Sequence, residues 1–97
     1  MPLDPKRIPA ELIPLLPLAE KWGTGDDLVR SERVETASIE EVRELIEAVT
    51  SPDYPLFEWL SGPESHSAHP SEEYIAFCNL TDAYDDAKSR LKAGYYS

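Results

Sequence analysis

The hydrophobic positions of this chain recur at helical spacing, and no stretch alternates cleanly enough to read as a strand. The clearest segment is "SIEEVRELIEAVTS". Ile39, Val42, Leu45, Ile46 and Val49 fall on one face at the 3.6-residue period, with Glu40, Glu44 and Glu47 on the opposite face. Ser38 and Glu41 have the spacing of a capping box, in which each side chain takes a backbone N–H near the other residue. The pattern predicts a helix over 38–50.

A longer helix is predicted over 71–93. Ser71 caps it, Glu72 and Glu73 suit its positive end, and Lys88, Arg90 and Lys92 suit its negative end. Gly94 is the expected C-terminal stop. Phe77, Leu80, Tyr84, Ala87 and Leu91 form its apolar stripe, widened by Ala76 and Ala83, while Asp82, Asp85, Asp86 and Ser89 lie on the far side. Tyr74, Ile75 and Cys78 depart from this stripe, so the first half is apolar nearly all round. That half is either covered by a second layer, such as the proline-rich arm, or exposed as a dimer interface.

Three shorter elements complete the pattern. Residues 1–9 carry Pro2, Pro5 and Pro9 and read as an extended arm. Pro9 opens a short turn, and a helix is expected over 14–22, begun by Pro14 and Pro17 and stopped by Gly23. A helix over 26–36 is expected, with Thr24 as N-cap ahead of Asp26 and Asp27. Another over 53–61 starts from Ser51 or Asp53 and ends at Gly62–Pro63. Trp22 and Trp59 both sit near helix ends, as anchors at the rims of the core. Four to five helices joined by short loops give an all-α fold class: a small helical bundle without a sheet, closed by the long C-terminal helix.

Composition sharpens this. Ninety-seven residues suit a single domain, and 41% hydrophobic content is enough for one core. The lone cysteine, Cys78, rules out an intrachain disulfide and a thiolate zinc cluster. No apolar run approaches the length of a membrane span, and the first residues lack the apolar region of a signal peptide, so a cytoplasmic protein is expected. Charge is the most informative quantity. The net charge is −10, and from Val34 to Ala87 there are 13 acids against one base, Arg43. Such a block repels nucleic acid and anionic membrane and attracts basic proteins or cations. Its plainest consequence is solubility.

Candidate chemistry is sparse. His66 and His69, with Glu64, Glu72 and Glu73 nearby, are ligand types for zinc or nickel. They lie between Pro63 and Pro70, however, in a stretch that reads first as the connector between two helices. Asp82, Asp85 and Asp86 share a helix face and suit a divalent cation only with further ligands. Asp86 with Arg90, and Asp85 with Lys88, are also spaced for ordinary ion pairs. Cys78 has no base within a helical turn, and Asp82 disfavours its thiolate. No nucleophile elbow, phosphate loop or dinucleotide fingerprint occurs, so no cofactor is expected. Size, acidity and helical pattern are similar to those of many small bacterial proteins and of some toxin-immunity proteins, a compositional likeness without a shared motif.

The expectation is therefore a non-enzymatic module that presents Glu40, Glu44, Glu47, Asp82, Asp85 and Asp86 to a basic protein partner, with Trp59 as an apolar anchor. The alternatives are a metal-binding or hydrolytic domain using His66, His69 and Glu72, and a homodimeric subunit.

Overall fold

The computed structural model describes residues 3–96, with the side chains of Pro63 and Glu64 outside that description. Five α-helices form: α1 (Leu16–Trp22), α2 (Asp27–Thr36), α3 (Ile39–Thr50), α4 (Leu56–Leu60) and α5 (Glu72–Lys92). Short 3-10 turns occupy Pro5–Arg7, Ala10–Leu15 and Pro63–His66, and no strand is present among the described residues. The all-α fold with a long last helix is as the periodicity predicts.

α5 is the spine, and each of the other four helices packs against it. Ser71 Oγ accepts from Tyr74 N–H at 3.1 Å to start it. Gly94 ends it in the left-handed region, at φ +79°. Phe77, Leu80 and Ala87 are fully buried, with Tyr84 at the edge of the same stripe. Val42, Leu45 and Val49 of α3, Trp22 of α1, Leu56 of α4 and Val34 of α2 join them in one core. Each large apolar side chain removed from water there contributes about 1.5–3 kcal/mol before the cost of ordering it. The Trp22 indole N–H is buried without a hydrogen-bond partner among the described residues, and the Lys21 ammonium lies over its ring at 5.3 Å.

Local chemistry sets the boundaries. The capping box at Ser38 and Glu41 is formed in both directions. α2 is capped by Asp26, whose carboxylate accepts from Val29 N–H at 2.9 Å; the Thr24 hydroxyl instead donates to the Glu20 carbonyl at 2.5 Å. The expected Thr24 cap is thus corrected: Asp26 is the last extended residue before the helix. α4 is five residues long rather than the expected 53–61. Pro55 disfavours helical backbone at Tyr54, and residues 51–54 close a turn through Tyr54 N–H to the Ser51 carbonyl at 3.2 Å.

The proline-rich arm departs from the extended reading in one respect: it turns at Pro5–Arg7. It lies on the body, as one of the two alternatives allowed, with Leu3 and Ile8 buried in the core. Of its first residues, Met1 and Pro2 lie outside the described region. At the other end, Tyr95 Oη donates to the Glu35 carbonyl at 2.9 Å and Tyr96 Oη to the Val34 carbonyl at 2.7 Å. Both carbonyls belong to the last turn of α2: Val34 also accepts from Ala37 N–H at 3.4 Å, a long cap bond that the shorter one from Tyr96 supplements, whereas Glu35 lies past the last intrahelical donor.

Candidate binding surface

The acids of α3 occupy the side turned from the core. Val42, Leu45 and Val49 face inward, and Glu40, Glu44 and Glu47 are exposed. Arg43, the one base of this block, is exposed as well. Glu41 is distinct from its neighbours: its carboxylate takes the Lys21 ammonium at 2.7 Å. That hydrogen bond, followed by the one from Ser38 N–H, holds the Glu41 carboxyl below the usual glutamate range.

On α5, Asp82 and Asp85 are exposed and Asp86 is half-buried. Asp86 makes the expected pair with Arg90 at 2.9 Å, and Arg90 also reaches Glu35 of α2 at 3.5 Å. The Asp86 hydrogen bond is the main cause that raises the affinity of Arg90 for its proton. Lys88 lies over the Tyr84 ring at 5.7 Å, and among the described residues Asp85 makes no ion pair.

Asp82 and Asp86 line one side of an open groove of about 220 Å³ between α2 and α5, and Asp27, Arg30, Ser31 and Asn79 line the rest with apolar Val34 and Ala83. Arg30 is tied to Asp27 and to the Gly25 carbonyl. Glu40, Glu44 and Glu47 do not line this groove. The six acids thus form two groups, one on the outer side of α3 and one along α5 beside α2.

Trp59 is half-buried rather than free. Its ring stands edge-on to Tyr74 at 5.6 Å and to Phe77 at 5.4 Å between centroids, a favourable aromatic geometry. Tyr74 is buried and donates from Oη to the Leu60 carbonyl at 2.6 Å, which ties α4 to α5. Cys78 is half-buried, and Ile75 is 45% exposed. The first half of α5 is thus largely covered, and Ile75 is what remains at its surface.

His66 closes the 3-10 turn Pro63–His66, and His69 lies three residues on; both are exposed. Glu72 is exposed at the start of α5. Glu73, the other acid of this stretch, is 4% exposed and turned to the arm: its carboxylate accepts from Asp4 N–H at 3.1 Å and lies 4.0 Å from the Arg7 guanidinium. Among the described residues no three His, Cys, Asp or Glu side chains converge as a metal site would require. Glu64, also close in sequence, has its side chain outside the described region.

Sequence reasoning missed Glu73 as a buried group. The signal was present, because position 73 lies one turn before Phe77 and so on the buried stripe. Among the described residues no helix is long and apolar enough to cross a membrane. No family model, curated protein or solved structure matches this chain.

Proposed function

We propose that this protein is a non-enzymatic interaction module whose acidic surface receives a basic protein partner, in the manner of a small inhibitor or immunity protein. One observation carries the reading. Glu41, Asp27 and Asp86 are each neutralised by a neighbouring base, whereas among the described residues Glu40, Glu44, Glu47, Asp82 and Asp85 make no ion pair. Exposed carboxylates without internal counter-charges keep their field available to a partner, where it speeds encounter and selects for positive charge.

The test is binding of a short oligolysine peptide to the full chain at low salt, followed by isothermal titration calorimetry. Reversing Glu44 and Asp85 together to lysine should weaken binding by about tenfold or more. Reversing Glu11 and Glu32, which are also exposed but lie outside the two groups, should weaken it far less. Equal losses in both double variants would leave only net charge and would end the proposal. So would binding that ignores salt, because exposed charges are screened over about 10 Å at 0.1 M ionic strength.

A further inference from the structure

Residues 3–8 have a structure of their own. Asp4 caps the turn Pro5–Arg7 by accepting from Lys6 N–H at 2.9 Å. The Asp4 carbonyl accepts from Arg7 N–H at 3.1 Å, and the Asp4 carboxylate lies 3.9 Å from the Arg7 guanidinium. Ile8 is extended and Pro9 follows it, so the turn is separated from the next one by a stiff joint.

Two apolar side chains and two carboxylates attach this segment to the body. Leu3 and Ile8 are buried in the core. Glu20 of α1 accepts from Leu3 N–H at 3.3 Å, and Glu73 of α5 accepts from Asp4 N–H at 3.1 Å. The segment therefore bridges α1 and α5. Those helices are already joined without it, since the Gly23 backbone lies against the Ala76 carbonyl and Asn79 Nδ2 donates to the Gly23 carbonyl at 3.1 Å.

We infer that residues 3–8 are a strap that opens as a unit while the helical body stays folded, with the buried Glu73 carboxylate as its latch. A carboxylate on a helical body is a latch suited to opening. When the strap leaves, water replaces the Asp4 amide and the Arg7 guanidinium, and no unsatisfied charge remains in the core. The strap's own turn is kept by Asp4 and need not unfold. Opening uncovers Glu73 next to Glu72 and takes Arg7 and Asp4, which line the same cleft, away from that end of α5.

Limited trypsin digestion of the full chain, read by mass spectrometry, tests this. Lys6 and Arg7 are exposed cleavage sites in the strap, and Lys21, Arg30, Arg33 and Arg43 report on the body. Glu73→Ala should raise cutting after Lys6 and Arg7 by about tenfold, with the body sites unchanged. Glu73→Gln keeps an acceptor for the Asp4 amide and should fall between. Unchanged strap cleavage in Glu73→Ala would overturn the inference, as would strap cleavage that rises only in step with the body sites. Hydrogen exchange in the unmodified protein is an independent check: the Asp4 amide should exchange about a hundredfold faster than that of Leu80. Equal protection of the two would show that strap and body open together, against the inference.

Discussion

Gly23 follows α1 at φ −106°, a conformation open to any residue, so its backbone freedom is not what the position needs. Space is. A Cβ there would lie 2.0 Å from the Ala76 carbonyl oxygen and 2.8 Å from its carbon, both backbone atoms of α5 that cannot swing aside. The same contact sets the Gly23 carbonyl in reach of Asn79. Gly23→Ala should therefore push α1 off the spine and cost about 1–3 kcal/mol, the range of overpacked sites. The loss of unfolded-state freedom acts in the other direction by about 0.4–1 kcal/mol, and a clash this deep with fixed backbone outweighs it. Urea denaturation followed by tryptophan fluorescence measures the difference, since Trp22 ends the displaced helix. Gly25, by contrast, does need the left-handed region, at φ +95°.

At the scale of elements, hydroxyl groups of the C-terminal tail finish α2. Tyr96 is half-buried and Tyr95 is 52% exposed, yet both reach carbonyls of the last turn of α2. Burial is the main reason the Tyr96 phenol holds its proton above the usual tyrosine range. Tyr96→Phe should cost about 0.5–1 kcal/mol, because the Val34 carbonyl keeps only its long bond from Ala37 N–H, and Tyr95→Phe less than half of that, because water replaces its hydroxyl. Thermal unfolding of the two variants ranks them. These tail contacts were not legible in the sequence, since nothing local to Tyr95 or Tyr96 encodes a partner some sixty residues away. The long helices were legible for the opposite reason. α3 and α5 have caps, termini and stripes that all act within a few residues, from Ser38 with Glu41 to Ser71 with Gly94. α4 fell short of its expected span because Pro55 governs the residue before it more strongly than Ser51 or Asp53 can cap. The turn within the arm was missed for want of a periodic signal: Leu3 and Ile8 are spaced by neither helix nor strand, and what holds them is distant in sequence, namely the core itself with the carboxylates of Glu20 and Glu73.

For the whole molecule, the question is whether its acids serve folding or recognition, and the two make opposite demands on α3. The sequence showed which residues are acidic and which helix face carries them. Its spacing also pointed to the Asp86–Arg90 pair, but not to the Lys21–Glu41 pair, which depends on tertiary placement, and the pair of Asp27 with Arg30 went unread. With that separation made, Glu44 is the informative position. It lies one turn after Glu40 and three residues before Glu47, so three like charges share one exposed face. Like charges at these spacings destabilise a helix by about 0.2–0.5 kcal/mol per pair, and opposite charges stabilise it by a similar amount. Glu44→Lys replaces two repulsions with two attractions and lowers the self-repulsion of a chain at net charge −10. It should raise stability by about 0.8–2 kcal/mol at low salt, an advantage that shrinks as sodium chloride is added. The same substitution should weaken oligolysine binding. A variant more stable yet weaker in binding places the α3 acids in recognition, at a cost to the helix that bears them. A variant that is more stable with binding unchanged would assign those acids to solubility alone.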